Sequence, residues 1–260
     1  MSLAPIYTAD NCKFAYQLCW SLTLFWTSPP PSDAWITDLQ SATEADGLRI
    51  LRHRFWKSNS SLFLVSTRPE LQPSRIAWSV KGRLQHLFRH QRPRAFQRNY
   101  DLQSIGSTGG TKVEAYVASQ LQQHHLENDL ADLFRDLQIV NPAVDLSQPR
   151  FTAHGRFSCN LHVVLVHADR WRETRRVLWL GVRDMVRKAS SAKGHLLSRA
   201  GIVPDHLHLT LGTHPDESPG DVALSYMNNI ASVHGMQPIF MHGCYLGGFG
   251  DYDLGAIHNQ

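Results

Sequence analysis

The sequence predicts an α+β protein made of two similar units in tandem. The chain has 260 residues, 42% of them hydrophobic, which is enough for one large domain or two of roughly 100–130 residues each. The chain also contains an internal repeat, because residues 59–77 (NSSLFLVSTRPELQPSRIA) align without a gap on residues 205–223 (DHLHLTLGTHPDESPGDVA). The shared positions, at an offset of 146, are Thr67 and Thr213, Pro69 and Pro215, Pro73 and Pro219, and Ala77 and Ala223.

Two further matches occur in the same order along the chain. LQSIG at residues 102–106 matches LGGFG at residues 246–250, and the apolar residues 16–26 match residues 159–167. Three matches in one order indicate a tandem duplication of about 100 residues per copy. We expect the two apolar segments to pair with each other in one continuous sheet.

Each copy contains the same predicted elements in the same order. An apolar, strand-like run comes first (LCWSLTLFW; LHVVLVH), and a helix follows at residues 32–46 or 171–190. Two strands come next, at residues 48–56 and 62–67, or at 195–203 and 207–212. A second helix opens after a proline-rich turn with Ser74 or Ser218 as its N-cap, and a short strand precedes Gly106 or Gly250. This strand–helix–strand–strand–helix–strand order is that of ferredoxin-like folds.

The two copies are joined by predicted helices and a linker. Residues 111–123 read as a helix capped by Thr111, and residues 126–138 as a polar helix. A proline-containing stretch at residues 141–156 follows. We therefore divide the chain into a first unit at residues 1–124, a connection at 125–156 and a second unit at 157–260.

Two histidines in the second unit are candidate metal ligands. In PDHLHLTLG, His206 and His208 lie two residues apart on a predicted strand, so both side chains point to one face. Paired imidazoles suit a divalent metal, although the same pattern also fits two surface histidines on the solvated face of an edge strand. The matched positions of the first unit are Ser60 and Leu62, which could not form this site.

A tyrosine motif shows the opposite distribution between the units, because it occurs in the first unit and not in the second. Tyr116 and Gln120 lie one turn apart on the predicted helix of the first unit. Tyr116 lies ten residues after Gly106. Ten residues after the matching Gly250 lies Gln260, so we expect the second unit to lack an equivalent tyrosine. Taken alone, Tyr116 is explained more simply by an amphipathic helix that packs an aromatic side chain on the core.

These motifs resemble those of the single-tyrosine HUH transposases, which include the REP-associated tyrosine transposases. His206-Leu207-His208 resembles the HUH motif with its PDH lead-in, Tyr116 to Gln120 resembles the nucleophile helix, and Ser104 to Gly106 resembles the turn before it. In that family two subunits dimerise, and each site takes its histidines from one subunit and its tyrosine from the other. The resemblance implies one composite site here, with Tyr116 as nucleophile.

The resemblance also implies the chemistry. The metal would be held by His206, His208 and Gln120, and Mg²⁺ or Mn²⁺ suits a nitrogen and oxygen ligand set around a phosphate. The substrate would be a single-stranded DNA hairpin, cut through a 5′-phosphotyrosine intermediate. The expected function is that of a single-strand DNA endonuclease and strand transferase. The alternative is an inactive, domesticated hairpin-DNA-binding protein.

A basic segment is the candidate DNA surface. The chain has 26 basic against 22 acidic residues, and residues 71–100 contain no acidic residue at all. Basic residues interleaved with aromatic ones suit single strands and hairpins, and the absence of acidic residues favours this interpretation over a solvated helix face with its aromatic side chains in the core. The candidate DNA-binding residues are Arg75, Lys81, Arg83, Arg89, Arg92, Arg94 and Arg98. A second basic cluster comprises Arg170, Arg172, Arg175 and Arg176.

Several classes of protein are disfavoured. The longest apolar run is too short to span a bilayer, and the N-terminus lacks the features of a signal peptide. The four cysteines form no CxxC pair, which argues against a disulfide scaffold and a zinc ribbon. We therefore expect a cytoplasmic protein without a membrane partner, acting as a monomer with an internal pseudo-dimer. An RNA-binding ferredoxin-like protein lacks support, because no aromatic RNA-binding strand is present.

Overall fold

The computed structural model describes residues 4–124, 126 and 128–251. Over these residues the chain forms two six-stranded sheets, which confirms the predicted α+β class. The strands are β1 (Lys13–Gln17), β2 (Cys19–Trp26), β3 (Leu48–Trp56), β4 (Ser60–Thr67), β5 (Phe96–Ile105), β6 (Ile139–Val140), β7 (Arg150–Phe151), β8 (Gly155–Ser158), β9 (Asn160–Val166), β10 (Leu196–Val203), β11 (His206–Gly212) and β12 (Gly243–Phe249). The helices are α1 (Ile36–Glu44), α2 (Pro73–Phe88), α3 (Gly110–Ala118), α4 (Asn128–Leu137), α5 (Arg176–Lys193) and α6 (Pro219–Val233).

Both sheets are built around the same four-stranded arrangement. In the first, the order β3-β4-β2-β5 is antiparallel throughout, and α1 and α2 connect its strands. In the second, β10-β11-β9-β12 are antiparallel in the same order, with α5 and α6 as the connections. The first strand of each unit is therefore central, flanked by the third and the fourth.

The prediction that residues 16–26 and 161–167 pair with each other is wrong. Strand β2 pairs with β4 and β5, and β9 pairs with β11 and β12, so neither has a free edge for the other. The units exchange short strands instead. Strand β1 pairs in parallel with β12 of the second unit, and β8 pairs in parallel with β5 of the first.

The two exchanged strands occupy matching places in the chain, each directly before the first strand of a unit. One residue, Leu18, separates β1 from β2, and one residue, Cys159, separates β8 from β9. Each chain crossing therefore passes from one sheet to the other at the same point. The predicted connection at 125–156 contributes β6 to the second sheet, and β7 with the start of β8 to the first, so it is part of both sheets.

Hydrogen bonds between the units are also reciprocal. The backbone N–H of Ser74 donates to the carbonyl of Pro215 at 2.8 Å, and the N–H of Gly220 donates to the carbonyl of Pro69 at 2.8 Å. Ser74 and Gly220 are matched positions of the sequence repeat, as are Pro69 and Pro215. Such pairing is the contact pattern of a two-fold interface.

Glycines allow the ends of the two last strands to approach each other. A Cβ on Gly106 would clash with the carbonyl oxygen of Gly248, and a Cβ on Gly250 would clash with the carbonyl oxygen of Ser104. The hydroxyl of Ser104 donates to the carbonyl of Phe249 at 2.6 Å and so fixes this crossing. The matched SIG and GFG sequences are therefore explained by close backbone contact.

Two of the three predicted helix caps are wrong. Ser218 does cap α6, since its hydroxyl accepts from the N–H of Asp221 at 3.1 Å. At α2 the cap is Gln72, because Pro73 occupies the first helical position and Ser74 lies inside the helix. At α3 the cap is Gly109, and Thr111 is helical.

Each unit has its own hydrophobic core. The leucines that alternate along β11, Leu207, Leu209 and Leu211, are buried against α5 and α6. In the first unit, the tryptophans Trp20 and Trp26 of β2 are buried with residues of α2. Within the described ranges, no helix combines the length and the apolar character that crossing a bilayer requires.

Candidate active site

The histidine motif lies on the sheet face opposite the leucines. On β11, His206 and His208 alternate with Leu207 and Leu209, so burial of the leucines turns both imidazoles to the other face. Their ring centroids are 4.9 Å apart. His208 is buried, and the His206 side chain retains 12% of its exposure.

Helix α3 of the first unit packs on this face of the second unit, against β10 and β11. The contact is centred on Gly201 of β10, which is directly opposite His208 in the strand pairing. A Cβ on Gly201 would lie 2.7 Å from the carbonyl oxygen of Val117 and 3.4 Å from Cγ of Gln120. The absence of a side chain at residue 201 is therefore what allows α3 to lie beside the histidines.

Tyr116 is thereby brought to the histidine motif. Its ring centroid lies 5.5 Å from that of His208 and 6.3 Å from that of His162, with edge-on geometry in both cases. The side chain is 45% exposed. It lines a cleft of about 340 Å³ together with Lys112, His162 and Tyr245, so a substrate has access to the phenol.

Gln120 lies in the 3-10 turn Gln120–Gln123 that continues α3. Its side chain is buried, and its amide Nε2 donates to the carbonyl of Tyr116 at 3.2 Å. The amide nitrogen is thus used to close the end of the helix. Because this orients the side chain between α3 and β10, Gln120 is placed on the histidine face.

Both histidines of the motif are held through Nδ1. His206 Nδ1 lies 2.8 Å from the Asp205 carboxylate, and His208 Nδ1 lies 2.9 Å from His162 Nε2. Bonding at Nδ1 fixes the ring and leaves Nε2 as the atom that could bind a metal. Asp205 is itself paired with Arg170 at 3.0 Å.

Burial keeps these imidazoles neutral. It lowers the pKa of His208 to about 2 and that of His162 to about 4. It also lowers the pKa of His206, an effect that the Asp205 carboxylate partly offsets. Neutral imidazole is the form that binds metals, so the electrostatics of the face suit a metal site.

A second set of metal-binding atoms overlaps the predicted one. One ligand atom each from His124, Asp205 and His206 lie within 4.8 Å of one another. His124 follows the 3-10 turn, and its ring centroid is 5.4 Å from that of His206. His124, Asp205 and His162 were not among the predicted site residues. Asp205 belongs to the PDH motif, but the other two are brought in by strand pairing and by the docking of α3.

The matched face of the first unit carries different residues. Ser60 donates to the carbonyl of Trp56, and Leu62 lies opposite Arg54, the position that Gly201 occupies in the second unit. A cleft of about 260 Å³ is present, lined in part by Arg54 and Leu62. Neither matched position has a metal-binding side chain. Gln260, the position of the second unit that corresponds to Tyr116, lies outside the described residues.

The predicted DNA-binding residues are distributed over α2, the loop that follows it and β5, and several have structural partners. Lys81 is half-buried and donates to the backbone carbonyls of residues 97–99. Arg83 pairs with Asp46 at 2.8 Å, and Arg92 donates to the carbonyl and hydroxyl of Ser28. These three side chains hold α2 and its following loop in place.

The remaining basic side chains of this segment are exposed. Arg75 lies over the ring of Trp78, 5.1 Å from its centroid, and Trp78 is itself exposed. Arg89, Arg94 and Arg98 are exposed, and none of them has an acidic partner among the described residues. They form the part of the predicted surface that could contact phosphate.

Comparisons with known proteins do not assign a function to this chain. No protein-family model matches this chain, and no curated protein matches it either.

Proposed function

We propose that this chain is a metal-dependent endonuclease and strand transferase for single-stranded DNA hairpins, with one active site to which both units contribute. The observation that carries the proposal is the position of Tyr116. It belongs to the first unit, yet its ring lies 5.5 Å from the ring of His208 in the second. A nucleophile beside a metal-binding pair suits metal-assisted phosphoryl transfer through a covalent intermediate.

The proposal includes the origin of the site. Both units have the strand order of a ferredoxin-like fold, and their exchanged strands and reciprocal hydrogen bonds support a tandem duplication. One chain would then contain the equivalent of a dimer and act as a monomer. All four cysteines are buried and unpaired, which supports a reducing, cytoplasmic location.

The residues present suit a divalent metal. His206 and His208 offer neutral nitrogens held from behind, and Gln120 or Asp205 offers oxygen. We propose His206, His208 and Gln120 as the ligands of Mg²⁺ or Mn²⁺, with Asp205 and His124 as the nearest further donors. When bound, the ion would polarise the scissile phosphate and offset the charge that develops on it.

Tyr116 performs the chemical step in this proposal. Its phenol oxygen bonds to phosphorus as the bond from phosphorus to the 3′ oxygen breaks. The phenol loses a proton and the departing 3′ oxygen gains one, so the step is a transesterification that leaves a 5′-phosphotyrosine and a 3′-hydroxyl. Lys112, in the same cleft, supplies a positive side chain next to the phosphate.

A covalent adduct tests the proposal. Hairpin oligonucleotides labelled at the 3′ end would be incubated with protein and Mn²⁺ and separated on a denaturing gel. We expect wild type to form labelled protein, Tyr116→Phe to form none while still binding DNA, and His206→Ala to lose cleavage. Tyr16→Phe, at an exposed tyrosine outside the cleft, is the control and should react like wild type.

Two results would contradict the proposal. An adduct that persists in Tyr116→Phe would show that the nucleophile is another residue. Hairpin binding by wild type without cleavage in Mg²⁺ or Mn²⁺ would instead support the inactive DNA-binding protein.

A further inference from the structure

The second unit contains a cavity that the proposed reaction does not use. It has a volume of about 510 Å³, within the usual range for ligand sites, and lies between the start of α5 and the end of α6. Leu178, Val233 and Ile239 provide apolar walls. The polar or aromatic lining residues are Trp171, Arg175, His234 and Gln237.

His234 lines this cavity and carries a polar atom without a hydrogen-bond partner. Its side chain is 4% exposed, and its buried Nε2 has no hydrogen-bond partner. Its Nδ1 is 3.9 Å from the Glu173 carboxylate, too far for a hydrogen bond. A buried ring nitrogen without a partner is costly, so a ligand that supplied a donor or an acceptor here would be favoured.

Trp171 offers an aromatic face beside this nitrogen. Its side chain is 41% exposed, and its ring centroid lies 6.2 Å from that of His234 at a nearly perpendicular angle. A planar ligand could therefore stack on the indole while its edge reaches His234. Exposed tryptophans at cavity mouths commonly bind planar groups because stacking does not require a fixed hydrogen-bond pattern.

The charge around the cavity favours a polyanionic chain. Arg175 is neutralised by the buried carboxylate of Glu173 at 2.7 Å. Arg172 and Arg176 are exposed at the same end of α5, and the ion pairs found among the described residues leave both without an acidic partner. A ligand that combines a planar group with phosphates matches this distribution.

The cavity is also connected to the candidate active site. Ala168 lines it, and two residues along the same 3-10 turn Arg170 forms its ion pair with Asp205. Asp205 in turn holds His206. The cavity wall and the metal-binding pair are therefore linked through one series of side-chain contacts, from Arg170 to Asp205 to His206.

We propose that this cavity binds one unstacked nucleobase of the single-stranded DNA substrate, with Trp171 as the stacking surface and His234 as the hydrogen-bonding group. The inference rests on the proposed function, since it names a further part of the same substrate site. The phosphates on either side of that base would lie near Arg172 and Arg176.

The test compares the binding of a DNA strand that has its bases with the binding of a strand that lacks them. Binding would be measured by fluorescence anisotropy for a mixed-sequence single strand of about 12 nucleotides, and for the same backbone with abasic residues throughout. Trp171→Ala should weaken binding of the normal strand roughly fivefold or more, as expected for loss of one stacked base, and leave the abasic strand unaffected. Trp171→Phe should restore most of the affinity.

Controls separate this proposal from the proposed function. Val177→Ala, at a neighbouring exposed position outside the cavity, should leave both affinities unchanged. Equal losses for the normal and abasic strands, or no loss in Trp171→Ala and in His234→Ala, would overturn the base pocket while adduct formation by Tyr116 remained intact. Failure of wild type to bind the normal strand would also overturn the base pocket, whereas the proposed function would fail only if no hairpin gave an adduct.

Discussion

His162 shows how a single residue can orient a candidate metal ligand without being one. It lies on β9, and its Nε2 contacts His208 Nδ1 across the strand pair. Alternation along β11 predicted that His206 and His208 share a face. The contact with His162 could not be predicted in the same way, because it depends on the register between two strands.

The half-buried His162 gives a pH prediction for metal-free protein. Its pKa is lowered to about 4, below the value of about 6.5 for an unfolded histidine, so the unfolded chain binds more protons between these values. We expect the free energy of unfolding to decrease as the pH falls from about 6.5 to about 4, by at most about 3 kcal/mol from this residue. Above pH 6.5 this contribution is fully present.

Urea unfolding in the presence of EDTA, at a series of pH values, would measure it. His162→Gln should flatten the decrease, whereas His214→Ala, at an exposed histidine paired with Asp216, should not. An identical pH dependence in wild type and His162→Gln would show that this imidazole does not govern the effect.

Individual arginines also differ in what they can contribute to DNA binding. Arg89, Arg94 and Arg98 are exposed and lack acidic partners among the described residues, whereas Arg83 is paired with Asp46. Replacing the three exposed arginines together with glutamine should reduce the slope of log K against log salt by about 2, at about 0.7 per phosphate contact on single strands. Binding titrations at several salt concentrations measure the slope.

Arg83→Gln is the matched control, because an arginine held by Asp46 should release few counterions on binding. If the triple variant kept the wild-type slope, the DNA surface would lie elsewhere, and the exposed Arg172 and Arg176 would be tested next.

Among the elements, α3 matters most because it carries Tyr116 across to the second unit. The sequence predicted this helix, but the 3-10 turn that ends it and its Gly109 cap were not anticipated. The docking site of α3 could not be predicted either. In the sequence, Gly201 looks like any other glycine within a strand. The contact becomes evident only when β10 is placed under the helix.

Gly201→Ala tests this docking. The added methyl group would meet the carbonyl of Val117, so α3 must shift, at a cost of about 1–3 kcal/mol. We expect at least a tenfold loss of adduct formation, because small displacements of reacting groups reduce rates by up to about a hundredfold. Adduct yield and urea unfolding, measured together, report the two effects.

Gly82→Ala provides the control within a helix. A Cβ at Gly82 of α2 would meet no atom within 4 Å, so the substitution should stabilise the fold by up to about 1 kcal/mol and leave the reaction unchanged. A normal adduct yield in Gly201→Ala would show that the position of α3 is not critical.

On the scale of the whole molecule, the sequence repeat predicted two units with the same order of elements. It did not predict how they join. The exchange of β1 and β8 between sheets depends on parallel pairing between segments that are far apart in sequence. The repeat contains no signal for such pairing, since both strands are short and lie mostly before the matched regions.

An internal pseudo-dimer can be tested by mixing two inactive variants. If Tyr116 reaches the histidines of its own chain, a mixture of Tyr116→Phe and His206→Ala proteins should form no adduct. An enzyme that shares sites between two chains would regain activity in the mixture, with up to one functional site per mixed dimer. Adduct yield at increasing total protein concentration distinguishes the two arrangements.

The most direct test of the account is to find which residue carries the DNA. Wild-type protein that has reacted with a hairpin oligonucleotide and Mn²⁺ would be digested with nuclease and trypsin and analysed by mass spectrometry. With Tyr116 as the nucleophile, we expect a nucleotide on the peptide of residues 113–135, whose single tyrosine is Tyr116. A nucleotide on the peptide of residues 200–260, which contains Tyr226, Tyr245 and Tyr252, would contradict it.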